Sequence, residues 1–370
     1  MERQNQDESL EIQGSDPEDH SHFHSKNKED EVSITVELIN NLKEGGLIGD
    51  EETFLAVKNR SSYLIGSSCK GLKIIENQKE IYSEILNLAD GYIDDIIYAN
   101  HLNCYLLHLS GKTYRKDIDQ EPPYLFMDFD CGWRLGGCLK YSKRNQRLIV
   151  SKEGDLISVI SLERKRTELN FSSGGLYWQR QKITDFRLFG KDENGILALT
   201  PSGRIFLYFL NYSRKKVCTF YKYKIELIQE RDEFAFSISI CDESKYVLVC
   251  LADDCDYISR FIVLKLEGRR LNPVASLDKY GENLLKILSP SFCGFFGSHA
   301  RWIGFSSFEY EVCIFDFDKK TKELKYSLLS EELHQETGPQ RLNRSGDYLY
   351  YTGCEGKVMR LRVNFVDLKN

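Results

Sequence analysis

The chain has 370 residues, 41% of them hydrophobic, with 21 Phe and 21 Tyr to furnish a large core and only 7 Pro to interrupt backbone ladders. Its formal net charge of −6 sits in residues 1 to 30, where nine acids face Arg3, Lys26 and Lys28, so the rest of the chain sums to zero. A neutral body argues against a dedicated nucleic-acid binder, which normally carries a strong basic excess, and leaves room only for a local basic patch.

The 11 cysteines include no CxxC pair with metal-site spacing. The polar, acidic start lacks the basic and apolar regions of a secretory leader. Reduced, mostly buried thiols in the cytoplasm or the nucleus are therefore expected, and the sequons at Asn59, Asn170, Asn211 and Asn343 carry no weight. The longest apolar runs, such as Val247 to Ala252, are strand-sized and too short for a membrane span.

Residues 1 to 30 combine acids, Ser, Asn and Gln with few apolar side chains, so a disordered acidic tail is expected there. His20, His22 and His24 stand beside Asp16, Glu18 and Asp19, ligand types for a divalent transition metal, but the composition is that of a solvated low-complexity segment. No metal or cofactor is assigned. Next, Val32, Ile34, Val36 and Leu38 alternate with polar residues, which predicts a strand with no local partner.

From Phe54 the chain repeats. The first unit reads FLAVKN, YLIGSS, a turn at Cys69 to Gly71, LKIIEN and a strand around Glu80 to Leu86. The second runs from YIDDIIYAN through CYLLHL and TYRKDI to YLFMDF, with its turn at Ser110 and Gly111. The third pairs CLKYSK, RLIVSK, LISVISL and ELNFS around Glu153 and Gly154; the fourth pairs ITDFRLFG, ILALT, RIFLYFL and VCTFYKY around Ser202 and Gly203. In these units Gly is placed where a hairpin needs positive φ. Units five (FAFSISI to LNPVASL) and six (SFCGFF to ELKYSLL) replace it with longer polar or aromatic turns. Unit seven offers QRLN, DYLYYTG and KVMRLRV, one strand short, and the solitary strand at Val32 to Leu38 fills the vacancy.

Hairpins returning at intervals of roughly 40 to 54 residues predict radial β repetition. The expected fold is all-β, a seven-bladed β-propeller over residues 31 to 370, closed by an N-terminal strand that completes the last blade and leaves no open edge. The units resemble WD-repeat propellers. Ile314, Phe315 and Asp316 resemble the family's Trp-Asp ending, and Ser68 to Gly71 and Ser151 to Gly154 its small-x-acid-Gly hairpin, although no unit carries the Trp-Asp pair or the opening Gly-His. The resemblance covers about residues 31 to 366 and implies the propeller shape.

Catalytic signatures are missing. Gly66 to Gly71 with Lys73 departs from a P-loop because Leu72 takes the lysine position and a strand follows; GxSxG, HExxH and GxGxxG do not occur. Four basic clusters, Arg164, Lys165, Arg166; Arg214, Lys215, Lys216; Arg269, Arg270; and Lys319, Lys320, all fall in the turn between a unit's third and fourth strands. They form an expected basic rim, open to acidic protein tails, anionic lipid or nucleic acid and equally useful for solubility. Arg269 and Arg270 lack the flanking Phe and Gly of the phosphoinositide signature found in some propellers resembling the WD-repeat fold.

At the opposite end, inter-unit loops carry Trp133, Arg134, Tyr177, Trp178 and Arg180, residue types that dominate protein interfaces, and the fifth unit's long turn adds Asp253 and Asp254. These seven are the candidate partner-binding residues. The function expected is a non-enzymatic scaffold for protein partners. Units six and seven, with FDFDKKTKEL and GPQRLNRSGDYLYY, also resemble lactonase-type propellers, which implies a rival hydrolase needing a His, Arg and carboxylate cluster.

Overall fold

The fold is that of a computed structural model, which describes residues 22–24, 32–41, 53–67, 71–77, 79–86, 93–109, 112–119, 121–128, 139–152, 155–172, 182–227, 232–241, 246–252, 258–268, 270–278, 287–296, 298–306, 312–328, 342–345, 348–352 and 357–365. Among these, twenty-nine β-strands form seven antiparallel sheets. No described helix is long and apolar enough to cross a membrane.

The chain opens with β1 (His22–His24) and β2 (Val32–Asn41). The first sheet is β3 (Thr53–Asn59), β4 (Ser62–Ser67), β5 (Gly71–Glu76) and β6 (Lys79–Ile85); the second is β7 (Ile93–Ala99), β8 (Cys104–Leu109), β9 (Lys112–Asp117) and β10 (Tyr124–Asp128). The third comprises β11 (Leu139–Ser142), β12 (Arg147–Lys152), β13 (Leu156–Ser161) and β14 (Arg166–Ser172), and the fourth β15 (Asp185–Phe189), β16 (Gly195–Leu199), β17 (Arg204–Asn211) and β18 (Lys216–Lys224). The fifth holds β19 (Phe234–Ile240), β20 (Tyr246–Ala252), β21 (Ile258–Glu267) and β22 (Arg270–Asp278); the sixth β23 (Ile287–Phe296), β24 (His299–Ser306), β25 (Val312–Asp318) and β26 (Leu324–Leu328). The seventh contains β27 (Leu342–Ser345), β28 (Tyr348–Thr352) and β29 (Lys357–Phe365) together with β2 and β1.

The first six sheets are simple meanders, and first strands lie side by side: β3 by β7, β7 by β11, β11 by β15, β15 by β19 and β19 by β23, with β27 beside β3. The core is therefore a series of apolar layers between successive sheets. On β16, Ile196 and Ala198 pack toward Ile149 and Val159 of the third sheet, while Leu197 and Leu199 pack toward Val247 and Val249 of the fifth. Burial on both faces explains why second strands such as GILAL and YVLVCLA are apolar without alternation. Outer strands revert to a mixed pattern, as β6 and β14 do, and β22 accommodates Pro273, which has no N–H to offer, opposite a register shift at Val263/Leu264.

The solitary N-terminal strand does complete the last sheet. β2 runs antiparallel to β29 from Val32↔Phe365 to Asn41↔Lys357. The expected tail differs at three residues: His22, Phe23 and His24 pair with Thr35, Ile34 and Ser33, so β1 covers part of the edge that β2 would present. The other residues of 1–30 lie outside the described set.

The turns depart from the glycine expectation. Gly203 has φ +74 between β16 and β17 as foreseen, whereas Gly71 is the first residue of β5, and Gly111 and Gly154 lie outside the described residues. Positive φ recurs instead in third-to-fourth-strand turns, at Asn77, Lys165, Lys215, Gly268 and Lys322. Side chains close these loops: Arg164 N–H donates to Ser161 Oγ (3.2 Å), Arg214 N–H to Asn211 Oδ1 (2.9 Å) and Lys320 N–H to Asp318 Oδ1 (2.8 Å).

Candidate functional site

In a four-strand meander, the turn after the first strand and the turn after the third lie at the same end. In the sixth sheet this is visible directly, as Lys319 N–H donates to the carbonyl of Ser298 (3.0 Å) across the two turns. At this end the third and fourth sheets are bolted together. Glu193, in the β15–β16 turn, accepts from Ser142 Oγ (2.9 Å) and Arg144 N–H (3.2 Å) of the β11–β12 turn, and Asn145 Nδ2 donates to the Asp192 carbonyl (2.6 Å). Farther out, Glu168, its side chain only 4% exposed, accepts from Arg147 Nε (2.8 Å) and lies 3.8 Å from Arg164. Arg147 in turn covers the ring of Tyr212 in the β17–β18 turn. Burial pushes the Tyr212 phenol up to about 12, so this contact stays neutral on the tyrosine side.

The second sheet joins on the same side. Tyr141 shares a 2.6 Å hydrogen bond with His101 Nδ1 and stacks on its ring, and Lys165 Nζ lies 4.5 Å from the ring centre of Phe126. Burial lowers the His101 pKa and pushes that of Tyr141 up to about 12, which keeps both neutral at pH 7.

With Glu168 and Glu193 turned inward, the exposed charge of the four turns is lopsided. Lys143, Arg144 and Lys191 from the inner turns join Arg164, Lys165, Arg166, Arg214, Lys215 and Lys216 from the outer ones, all exposed. Only Glu163 and Asp192 stand exposed among them. The fifth and sixth sheets differ. Lys265 pairs with Glu267 (2.7 Å) and holds its carboxyl below the usual range, while Asp318 is held down chiefly by the Lys320 N–H. Arg270, Lys319 and Lys320 therefore sit among carboxylates, unlike the basic residues on the turns of the third and fourth sheets. Arg269 lies outside the described residues, as do Trp133, Arg134, Tyr177, Trp178, Arg180, Asp253 and Asp254.

No family model and no curated protein matches this chain. Sequence reasoning missed Lys143, Arg144 and Lys191, although the meander rule places first-to-second-strand turns beside the third-to-fourth-strand turns it did single out.

Ionisable groups inside the body are paired both within sheets and between them. Asp185 on β15 accepts from Arg187 (2.6 Å) and from Ile238 N–H on β19 (3.1 Å), linking the fourth sheet to the fifth. Glu233, with a fully buried side chain, takes Arg260 (2.9 Å), which also donates to the Glu226 carbonyl. Lys116 is wholly buried, donating to the carbonyls of Asp117 and Asp119 and lying 4.0 Å from the ring centre of Tyr82; burial lowers its pKa. Asp316 receives His299 Nδ1 (2.8 Å) and Arg301 Nε (3.0 Å), one on each oxygen. No group of three His, Cys, Asp or Glu able to hold a metal occurs among the described residues. The five described cysteines are free thiols, and burial pushes Cys104 and Cys250 up to about 12, so both are unreactive.

Proposed function

We propose that the chain is a seven-bladed β-propeller, a degenerate relative of WD-repeat propellers closed by its N-terminal strand, that works without catalysis as a cytoplasmic platform for protein partners. Support for the shape comes from first strands neighbouring one another sheet after sheet, from apolar layers between sheets, and from the β2–β29 pairing. The observation that carries the platform reading is the division of charge. Inner carboxylates such as Asp185 and Glu233 are spent on holding the body together, while an excess of basic side chains is displayed on turns that Glu168 and Glu193 help to fix. Rigid turns carrying exposed charge are suited to recognition.

The test is affinity capture from the source cell with mass spectrometry, comparing the intact chain with a Trp133→Ala, Trp178→Ala variant and with a variant carrying Arg164→Ser, Arg166→Ser, Arg214→Ser and Lys216→Ser. Stoichiometric partners lost in one variant and retained in the other establish the platform and its face; no stoichiometric partner sinks it. The rival hydrolase requires a free carboxylate beside His and Arg. The His299, Arg301 and Asp316 set has both carboxylate oxygens engaged within its own sheet, which favours the platform. Turnover of a lactone panel that disappears in Asp316→Asn would reverse that preference.

A further inference from the structure

We propose that the basic end of the third and fourth sheets is the docking site of the chain's own acidic segment, residues 1–21, so that an external acidic partner binds only by displacing it. The proposal deepens the platform reading and rests on it solely for the identity of what does the displacing. Charge complementarity is the first argument. Residues 1–21 hold seven carboxylates against Arg3 alone, which accounts for the whole formal net charge of −6. The four turns of the third and fourth sheets hold the densest exposed positive charge among the described residues, with Glu168 and Glu193 withdrawn into pairings.

The receiving surface is also pre-organised. The turns are pinned by Ser161, Asn211 and the Glu193 clamp, and Lys165 is seated on Phe126, so ordering them costs little when a ligand arrives. Reach is the third argument. β2 is the fourth strand of its sheet and so begins at the end where third-to-fourth-strand turns lie; the segment joins β1 at His22, opposite Thr35, three residues along β2 from that start. Twenty-one residues extend to roughly 70 Å, against a radius of gyration of about 20 Å for a compact body of this length. Tethering supplies an effective concentration on the order of millimolar. Weak, salt-screened contacts then suffice for occupancy.

Zero-length carbodiimide cross-linking of the full-length protein in low salt tests the contact. Cross-links within monomers from Glu8, Asp16, Glu18 or Asp19 to Lys165, Lys191, Lys215 or Lys216, absent for Lys79 and Lys182 and abolished by high salt, are expected. A second measurement uses a fluorescent peptide of residues 1–21 as probe. It should bind a full-length variant with all seven acids of that segment changed to Asn or Gln about tenfold or more tighter than it binds the intact chain, because the site is vacated. Adding Arg164→Ser, Arg166→Ser, Arg214→Ser and Lys216→Ser should remove the gain.

Equal binding to both chains overturns the proposal, as do cross-links found only in dimers, which would make a second copy the occupant. A short single-stranded oligonucleotide or a phosphatidylserine vesicle bound as tightly by the intact chain as by the acid-free variant overturns it too. The two readings fail separately: absent cross-links leave partner capture untouched, and absent cellular partners leave the cross-links untouched.

Discussion

Gly203 and Gly268 both adopt positive φ, +74 and +62, yet a side chain would meet very different surroundings at each. A Cβ on Gly203 would come within 3.1 Å of the Ile225 carbonyl, which accepts no displacement easily because the neighbouring Ile225 N–H donates to the Gly203 carbonyl (2.9 Å). A Cβ on Gly268 would meet nothing within 4 Å. Gly268→Ala should therefore cost about 1 kcal/mol, the backbone strain alone, and Gly203→Ala about 2 to 3 kcal/mol, as read by urea unfolding. Equal losses would show that the Ile225 contact relaxes freely. His108, 1% exposed on β8, offers a pH test. Burial holds its pKa at about 4, below the ordinary 6.5, so between those values the unfolded chain takes up a proton that the folded chain refuses. Its effect on stability is nil above pH 6.5 and grows as pH falls through the window, toward about 3 kcal/mol lost below pH 4. His108→Gln should flatten the decline in urea midpoint between pH 6.5 and 4.5. An unchanged slope would assign the decline to other groups.

At the scale of elements, the β2–β29 ladder is the join between the two ends of the chain. Deleting residues 32–41 removes the strand paired with β29 from Lys357 to Phe365 and should lower stability by about 5 kcal/mol or more, at a net 0.5 to 1.5 kcal/mol per ladder bond. Calorimetry should show the transition falling by about 10 °C, and light scattering should show association through the bared edge. A variant with unchanged melting and scattering would mean that β2 is dispensable. This join was legible in the sequence because Val32, Ile34, Val36 and Leu38 alternate beside no partner while the last unit lacks a strand. The twenty-eight strands after β1 were legible for related reasons, either alternation or unbroken apolar runs between polar turns. The three residues of β1 were not, because a His-rich stretch beside acids has the composition of a solvated segment. Nor were the turns at Lys165, Lys215 and Lys322 legible as positive-φ sites, since their geometry is imposed by capping from residues such as Asn211 and Asp318 rather than by glycine. At the candidate site, the basic clusters were visible in the sequence but their inequality was not. Whether a neighbouring carboxylate stays exposed to offset them depends on partners such as Arg147 for Glu168 and Ser142 for Glu193, and these become neighbours only when strands and sheets pack.

For the whole molecule, charge and connectivity are arranged on different scales. Positive charge is concentrated at one end of two adjacent sheets, while the compensating acids lie at the start of the chain. Raising ionic strength should accordingly loosen the acidic segment with little effect on the body, because pairs such as Glu233 with Arg260 are buried and poorly screened. Limited proteolysis should read this as faster cleavage within residues 1–21 in high salt at an unchanged melting temperature; a parallel drop in melting temperature would contradict it. The β2–β29 pairing also has a consequence for biosynthesis. The tenth residue of β2 is made more than 300 residues before the first residue of its partner. At roughly 5 to 20 residues per second that is a delay of some tens of seconds. Throughout it, the earliest long strand has only the three residues of β1 as a native neighbour, and the edge destined for β29 stays open to pairing elsewhere.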